Sequence, residues 1–224
     1  MKKRVNIAID GPSGVGKTVM STMLAKKLGF KFLSSGTFYR AIAYNAIQNN
    51  INLEDEQAIN DAWHIDDLHV TEDDRILLKN DDITTKIRED IVSRAASSIA
   101  KFPSIRHKVN KFIQNFGKKY KGIIVDGRDA TYRILPDAEV KFFLWATAEV
   151  RAHRRVKQDK EMGIDSNYEE VLESMKIRDY NDMNRDIDPL KVSEGSIEID
   201  TSNMSVEENF DVMYQEVLKR INNA

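Results

Sequence analysis

A glycine-rich stretch near the start of the chain has the residue types of a phosphate-binding loop. Residues 11–18 read GPSGVGKT and fit the pattern G-x-x-x-x-G-K-[ST] at each fixed position. Glycines let backbone N–H groups close around a triphosphate, the Lys17 ammonium would reach its β- and γ-phosphates, and the Thr18 hydroxyl would ligate Mg²⁺. The alternative is a plain turn between a strand and a helix, but such a turn does not require the Lys–Thr pair. We therefore expect a nucleoside triphosphate site.

A second group of chemically capable residues follows an apolar run. Residues 123–125 read IIV, and the run ends abruptly in Asp126, Gly127, Arg128 and Asp129. Because the carboxyl ends of parallel strands face the ligand, charges clustered there are more often functional than structural. Asp126 is our candidate for holding Mg²⁺ through a water molecule.

Arginines recur at positions that indicate an anionic ligand. Arg40 lies near the start of a predicted helix, where its charge opposes the helix dipole. Arg151, Arg154 and Arg155 lie about one helical turn apart, which predicts that their guanidinium groups share a face with an anion between them. A solvated surface arginine and a solvated basic face are the respective alternatives. Arg178, Asp182 and Arg185 are spaced i, i+4 and i+7 and share a face near the end of a later helix.

The elements needed to position these residues alternate between strands and helices. We expect five core strands, at Val5–Ile9, Phe30–Leu33, Ile123–Val125, Val140–Leu144 and Ile197–Ile199. This alternation around a phosphate loop predicts an α/β fold, a doubly wound parallel sheet of the P-loop NTPase type. Residues 52–90 do not follow this alternation of strands and helices.

Within residues 52–90 we expect a hairpin of two strands, Leu68–Val70 and Ile76–Leu78, joined by a loop from Thr71 to Arg75. A further turn is expected at Asn80–Asp82. After this region, a helix that carries Val109 and Ile113 is expected to end before Gly117. Capping boxes are expected at Ser166–Glu169 and Ser205–Glu208.

Length and composition restrict the possible classes of protein. The chain has 224 residues, 41% of them hydrophobic, a formal net charge of −2 and no cysteine. Disulfides, thiol catalysis and thiolate metal sites are therefore excluded. The charge does not favour nucleic acid or an anionic membrane as a partner, and no stretch approaches the roughly 20 apolar residues of a membrane span. We expect a cytoplasmic monomer whose partners are small molecules.

A phosphate loop by itself leaves three classes open: a nucleotide switch, a mechanical ATPase and a small-molecule kinase. A GTPase switch should carry an Asn-Lys-x-Asp motif, which this sequence lacks. A small-molecule kinase needs a second anion pocket and a cover that excludes water. The arginines supply both, and this favours the kinase. The candidates for the pocket are Arg40, Arg88, Arg106, Arg128 and Arg185, and those for the cover are Arg151, Arg154 and Arg155.

Seven segments of the chain resemble the bacterial cytidylate kinase family of nucleoside monophosphate kinases. They read IAIDGPSGVGKT (7–18), SSGTFYR (34–40), RAASSIAKFPSIR (94–106), VDGRD (125–129), PDAEVKFFL (136–144), RAHRR (151–155) and RDYNDMNRDIDPL (178–190). The resemblance implies transfer of the γ-phosphoryl group of ATP, with Mg²⁺, to CMP or dCMP. It also implies one kinase unit with its core at 1–33, 91–150 and 186–224, a small α+β acceptor-binding insertion at 34–90 and a helical lid at 151–185.

The resemblance further implies roles for individual residues. ATP would be bound by Gly11, Pro12, Ser13, Gly14, Val15, Gly16, Lys17, Thr18 and Val19. The α-phosphate of the acceptor would be held by Arg40 and Arg128, beside Ser35, Gly36 and Arg88. Cytosine would be read by Ser97, Arg106, Asp129 and Arg185, and ribose held by Arg178 and Asp182. Catalysis would depend on Lys17, Arg128, Arg151, Arg154 and Arg155.

The sequence departs from the family pattern at positions that concern the acceptor. Ser34 stands where aspartate is usual, Thr131 and Tyr132 stand where a glycine–threonine pair is usual, and Trp145 replaces a small or polar residue. These departures leave the choice among CMP, dCMP and UMP open. A kinase for UMP or shikimate, or an ATP-binding regulatory protein without transfer activity, is the alternative function.

Overall fold

The computed structural model describes residues 4–71, 75–161 and 163–223. They form two compact units. The first combines the residues before Ser34 with those from Gly117 onwards, and the second is Ser34–Phe116. The helices and strands, in chain order, are β1 Ile7–Asp10, α1 Lys17–Leu28, β2 Lys31–Ser34, α2 Ser35–Gln48, α3 Glu56–Asp61, β3 Leu68–Val70, β4 Ile76–Leu78, β5 Asp81–Asp82, α4 Asp90–Ile99, α5 Pro103–Lys119, β6 Ile123–Gly127, β7 Val140–Trp145, α6 Ala148–Glu161, α7 Tyr168–Asn184, β8 Ile197–Asp200 and α8 Val206–Asn223.

The first unit is built on the expected five-stranded sheet. Its strand order is β2-β6-β1-β7-β8, and β1 pairs in parallel with both β6 and β7. Strands buried on both faces require continuous apolar runs, and Ile7, Ile9 and Phe142 are fully buried. The predicted α/β class and strand count are confirmed. The bounds differ by one or two residues, since β1 begins at Ile7 and β6 extends through Gly127.

A small antiparallel sheet, in the order β3-β4-β5, lies in the second unit. The predicted hairpin is confirmed as β3 and β4, although residues 72–74 of its connecting loop lie outside the described part of the chain. The predicted turn at Asn80–Asp82 is wrong in part. Lys79 and Asn80 both have positive φ, 50° and 77°, as a two-residue hairpin turn requires, and this turns Asp81–Asp82 back against β4.

The second unit extends to Phe116, beyond the expected boundary of the insertion at residue 90. The reason is packing that the sequence pattern does not display. Helix α4 packs along α2, and the rings of Phe38 on α2 and Phe112 on α5 are 5.3 Å apart. Residues 91–116 therefore belong to the same compact unit as the hairpin.

Helix α5 continues through Gly117 to Lys119, so the expected helix end before Gly117 is wrong. A Cβ at position 117 would lie 2.9 Å from Ile123 Cδ1 and 3.0 Å from Leu135 Cδ2. A side chain at this position would have to displace these two methyl groups, so glycine allows close packing among residues of the first unit. None of the helices in the described ranges is long and apolar enough to cross a bilayer.

The two predicted capping boxes have different outcomes. The Ser205–Glu208 box is confirmed, because Ser205 N donates to Glu208 Oε2 at 2.8 Å and Glu208 N donates to Ser205 Oγ at 3.1 Å. The box at Ser166–Glu169 is wrong by one residue. Asn167 caps α7 instead, its Oδ1 accepting from Glu170 N at 3.1 Å, since asparagine is at least as good a cap as serine.

Gly117→Ala should destabilise the protein by about 1 kcal/mol, because overpacking costs roughly 1–3 kcal/mol while the gain in helix propensity is below about 1 kcal/mol. Urea unfolding monitored by circular dichroism measures the difference. Lys111→Ala, at an exposed position on the same helix, is the matched control and should leave the midpoint nearly unchanged. Equal or greater stability of Gly117→Ala would contradict the packing argument.

Candidate active site

The phosphate loop connects the end of β1 to the start of α1. Gly14 and Gly16 have φ values of 75° and 98°, in the left-handed region that favours glycine. A Cβ at Gly11 would overlap the carbonyl oxygen of Leu144 on the neighbouring strand β7. The glycines of the motif are therefore required by the backbone path and by the close approach of the sheet.

Lys17 is buried, and its ammonium points back into the loop. Its Nζ donates to the carbonyl oxygens of Gly11 and Pro12 at 2.7 and 2.8 Å. Burial and the positive charge of Arg128 lower the pKa of Lys17 well below its usual value, although nearby carboxylates oppose the shift. An anion bound in the loop would favour the charged ammonium.

Thr18 and Asp126 lie together at the carboxyl edge of the sheet. Thr18 Oγ1 donates to Asp126 Oδ2 at 2.8 Å, and Asp126 is buried. Asp126 pairs across the sheet with Ile9, which places it beside the loop that follows β1. Within residues 4–71, 75–161 and 163–223, no group of three or more His, Asp or Glu side chains could hold a metal ion. Oxygen ligands for a cation at Thr18 and Asp126 would therefore have to come largely from a nucleotide and water.

Four charged residues alternate in sign beyond the end of β6. Arg128 Nε donates to Asp182 Oδ2 at 2.6 Å. Arg185 lies 3.8 Å from carboxylate oxygens of both Asp182 and Asp129. Asp182 and Arg185, which were predicted to share a face, thus contact Arg128 and Asp129 respectively, the residues that follow β6. Arg185 itself follows the last helical residue, Asn184, and its N–H donates to Asn181 O.

The electrostatics of this group depend on ion pairing in a buried setting. Burial alone would raise the pKa of Asp182, but the charge and hydrogen bond of Arg128 outweigh it and lower that pKa. Burial likewise tends to lower the pKa of Arg128, because it disfavours the charged guanidinium group. The charge and hydrogen bond of Asp182 outweigh burial, and the pKa of Arg128 is raised. Arg178 adds a further positive charge near Asp182. The group is therefore a set of fixed charges of both signs.

The expected shared face of Arg151, Arg154 and Arg155 is wrong for this structure. Arg151 is buried and extends towards the phosphate loop, where its Nη1 donates to Ser13 O at 2.8 Å. Its Nε donates to Ala146 O at 2.9 Å, and its Nη2 lies 2.5 Å from Asp179 Oδ2. Arg151, on α6, therefore links the loop, the segment between β7 and α6, and helix α7.

The other two arginines have separate partners. Arg154 Nη2 donates to Thr201 O at 2.5 Å and its Nη1 to Thr201 Oγ1 at 3.2 Å. Arg155 Nε lies 2.9 Å from Asp159 Oδ1, one turn later on α6. Spacing along the helix predicts neighbouring Cα positions correctly, but it does not show the oxygens that neighbouring elements supply. Each guanidinium group has its own oxygen partners, and no bound anion is needed between them.

The candidate residues of the second unit lie on its helices. Helix α2 begins at Ser35, and Arg40 lies in its second turn, near the start of the helix as predicted. Arg40 Nη2 lies 3.5 Å from Thr37 Oγ1, and a Cβ at Gly36 would come within 3.3 Å of Arg40 Nη1. Glycine at position 36 thus leaves room for that guanidinium group.

Three further candidates of the second unit differ in burial. Arg106 is buried, with its Nη1 donating to Ala100 O at 3.1 Å and its guanidinium carbon 5.8 Å from the centroid of the Tyr39 ring. Ser97 is half-buried on α4, and Arg88 is exposed in a short 3₁₀ turn. Arg106 is therefore the candidate in this group whose position is most strongly fixed.

Asp10 is an important residue to which the sequence motifs assigned no role. It is fully buried and accepts hydrogen bonds from Ala130 N and Thr131 N at 2.8 Å and from Thr131 Oγ1 at 2.5 Å. Burial raises its pKa to about 6, partly offset by these hydrogen bonds. An acid directly before the phosphate loop was the available signal. The hydroxyl of Thr131, one of the positions at which the sequence departs from the pattern it resembles, thus has a hydrogen-bond partner in Asp10.

The parallel sheet, the phosphate loop and the charged strand ends define a P-loop kinase of the α/β class. The cytidylate kinase family model matches residues 7–220. The chain belongs to the cytidylate kinase family, whose members are nucleoside monophosphate kinases and hence phosphotransferases. The resemblance found in the sequence is thereby confirmed.

Curated relatives extend over nearly the whole chain. The cytidylate kinase of Mycoplasmopsis synoviae is 45% identical over 208 residues, covering 93% of this chain and 95% of the relative. That of Mycoplasmopsis agalactiae is 42% identical and covers 94% and 96%. A crystal structure of an uncharacterized protein from Eubacterium ventriosum matches with a TM-score of 0.52 at 14% identity, covering 99% of this chain and 100% of that one. At that identity the likeness shows the fold alone.

The raised pKa of Asp10 predicts a pH dependence of stability. Because the folded-state pKa, about 6, exceeds the ordinary value of 3.8, the folded protein binds this proton more tightly than the unfolded chain. This contribution is fully present below pH 3.8 and is lost as the pH rises through about 6. The total change is roughly 3 kcal/mol. Urea unfolding across this range should show a weaker decline for Asp10→Asn than for the unmodified protein.

Asp211→Asn, at an exposed position on α8, is the control for the loss of one carboxylate. It should keep the pH dependence of the unmodified protein. Parallel pH profiles for Asp10→Asn and the unmodified protein would contradict the assignment.

Proposed function

We propose that the chain transfers the γ-phosphoryl group of ATP to CMP or dCMP, giving ADP and CDP or dCDP. The observation that carries this proposal is the set of alternating charges at Arg128, Asp129, Asp182 and Arg185, which lies beside a phosphate loop in a member of this family. Such a set offers donors to a phosphate and both donors and acceptors to a base and a sugar.

The donor nucleotide binds at residues 11–19. Backbone N–H groups of the loop and the start of α1 hold the phosphates. The Lys17 ammonium, which donates to Gly11 O and Pro12 O in the free loop, transfers its hydrogen bonds to phosphate oxygens. This exchange keeps the buried ammonium hydrogen-bonded throughout.

Mg²⁺ accompanies ATP in this proposal. The Thr18 hydroxyl would ligate it directly and Asp126 through water, and their hard oxygens suit this ion. When bound, the ion would supply charge neutralisation for the phosphates. The Thr18–Asp126 hydrogen bond keeps both oxygens near the loop, so these two residues need little rearrangement to serve as ligands.

The acceptor is recognised by groups that match its parts. Arg40 and Arg128 hold the α-phosphate, with Ser35, Gly36 and Arg88 beside them. Asp182 and Arg178 hold the ribose. Cytosine presents a ring nitrogen and a carbonyl as acceptors and an amino group as donor, so arginine serves the first two and aspartate the third. Ser97, Arg106, Asp129 and Arg185 are assigned to the base.

The reaction is an in-line displacement. An oxygen of the acceptor phosphate attacks the γ-phosphorus, and the bond to the β-phosphate oxygen breaks. Lys17 and Arg128 stabilise the charge on the transferring group, together with arginines of the lid at residues 151–185. Among the lid arginines, support is strongest for Arg151, because its guanidinium group already contacts the loop at Ser13. Arg154 and Arg155 would first have to leave Thr201 and Asp159.

The setting in which the enzyme acts is part of the proposal. ATP and CMP or dCMP are its partners, and neither nucleic acid nor a membrane takes part. Action as a monomer in the cytoplasm remains a prediction, which sedimentation at micromolar concentration and localisation of the tagged protein can check.

Lys17→Ala should lower turnover by at least about 10²-fold, because preorganised charge on the transferring group is lost. A coupled assay of ADP release with ATP, Mg²⁺ and CMP measures this. Lys26→Ala, at an exposed position on the same helix, is the matched control and should retain activity. Near-normal turnover of Lys17→Ala would rule out the mechanism.

Asp129→Ala and Arg185→Ala should each relax the choice of base. The ratio of kcat/KM for CMP to that for UMP should fall by about 10-fold or more, because a polar pocket discriminates by leaving groups unpaired with the wrong base. Asp186→Ala, exposed and adjacent to Arg185, is the control. An unchanged ratio would remove these two residues from base recognition.

A panel of acceptors separates the proposal from its alternatives. The unmodified protein is assayed for ADP release with ATP and Mg²⁺ and, in turn, CMP, dCMP, UMP, AMP and shikimate. Preference for CMP or dCMP supports the proposal, whereas preference for UMP or shikimate identifies another kinase of the same fold. Release with none of them would indicate a regulatory protein that binds ATP without transferring phosphate.

A further inference from the structure

Two segments of the first unit that carry acceptor-site candidates are joined by contacts outside the candidate site. Residues 128–133 follow β6, and residues 185–191 follow α7. Tyr132 Oη donates to Pro189 O at 2.5 Å. The Lys191 ammonium lies 4.6 Å from the centroid of the Tyr132 ring, within the range of a cation–π contact. Arg133 Nε lies 3.1 Å from Asp188 Oδ1.

The hydrogen bond from Tyr132 is the contact best suited to fix the distance between the segments. The side chain of Arg133 is 62% exposed, and exposed ion pairs contribute little. Tyr132 is half-buried, and its phenol, which is protonated at neutral pH, donates this hydrogen bond. The acceptor is a backbone carbonyl, so the bond acts directly on the path of the chain.

The segment on the Pro189 side is a turn that determines the position of Arg185. Arg185 Nε donates to Asp188 O at 2.8 Å, and Leu190 N donates to Asp182 O at 2.7 Å. Asp188 has φ 48°, a conformation that costs energy for a residue other than glycine. A strained turn needs external contacts to persist, and Tyr132 contacts the residue that follows Asp188.

The segment on the Tyr132 side is held firmly. Residues 130–134 form a single π-helical turn, in which Leu135 N donates to Ala130 O at 2.8 Å. Asp10 accepts from the N–H groups of Ala130 and Thr131. The backbone next to Tyr132 is therefore hydrogen-bonded to Asp10 on the central strand β1. The Tyr132 hydroxyl is held in place by this segment and can fix the position of the turn at 185–190.

We propose that Tyr132 is a positioning residue for acceptor selection. Its hydroxyl holds the turn at 185–190 so that Arg185 stays close to Asp129 and Asp182. Tyr132 is one of the positions at which the sequence departs from the pattern it resembles, and the hydrogen bond to Pro189 O depends on its hydroxyl. The inference rests on the proposed function for the identity of the acceptor.

The first test is Tyr132→Phe, which removes only the hydroxyl. KM for CMP should rise roughly 3- to 10-fold, the range that corresponds to one lost hydrogen bond. The preference for CMP over UMP should fall, while kcat and KM for ATP stay unchanged. The exposed Tyr180 supplies the control Tyr180→Phe, with KM unchanged. A KM for CMP equal to that of the unmodified protein would overturn the proposal. So would an equal fall in kcat/KM for CMP and for UMP, because the choice between them would then be unchanged.

A double-mutant cycle shows whether Tyr132 acts through Arg185. In an Arg185→Ala background, Tyr132→Phe should change KM for CMP far less than it does alone, because the group it positions is gone. The same fold-change in both backgrounds would show that Tyr132 acts independently of Arg185 and would overturn the mechanism proposed for it.

A measurement without substrate separates this inference from the proposed function. In ¹H–¹⁵N spectra of the free protein, the Arg185 Nε–H should exchange with water clearly faster in Tyr132→Phe than in the unmodified protein or in Tyr180→Phe. Failure of the unmodified protein to phosphorylate CMP overturns the proposed function alone, and the exchange result still decides the link. Unchanged exchange overturns the link, whichever acceptor the enzyme uses.

Discussion

The carboxylate of Asp10 is the interaction on which the geometry of the first unit depends. It ends the strand that leads into the phosphate loop, and it accepts hydrogen bonds from the turn that follows Arg128 and Asp129. The two loops that carry the charged candidates are thereby fastened to each other at one buried point. A buried carboxylate without hydrogen-bond partners would destabilise the fold. The hydrogen bonds from Ala130 N and Thr131 N satisfy the Asp10 carboxylate, and the same bonds fix the turn that follows Asp129.

Charge balance is the second constraint. Lys17, Arg128 and Arg151 are all largely buried, and each has oxygen partners within its own unit: loop carbonyls for Lys17, Asp182 for Arg128, and Asp179 with Ser13 O for Arg151. Buried cations without such partners would be strongly destabilising. The free protein therefore holds in place several cations that a polyphosphate would need, and bound phosphates would replace part of this internal pairing.

Local signals in the sequence predicted much of the architecture. Apolar runs identified the five strands, and the glycine pattern identified the phosphate loop, because both depend on residues close together in the chain. The box at Ser205–Glu208 was predictable for the same reason. The partners of Arg151 and Arg154 were not, since Asp179 and Thr201 lie far along the chain. Gly117 was misinterpreted because its role is steric and depends on Ile123 and Leu135. The extent of the second unit depends on helix packing, which periodicity does not reveal.

The strand order also has a consequence for synthesis of the chain. β1 is translated before both of its partner strands, yet it lies at the centre of the sheet, and Ile7 pairs with Ile124 and Val140. Those partners are translated only after the whole second unit, which is continuous in sequence and can acquire its structure earlier. Closing so long a stretch of chain is slow compared with forming local contacts. The nucleotide loop is thus made well before the two strands that flank β1 and hold the loop in place.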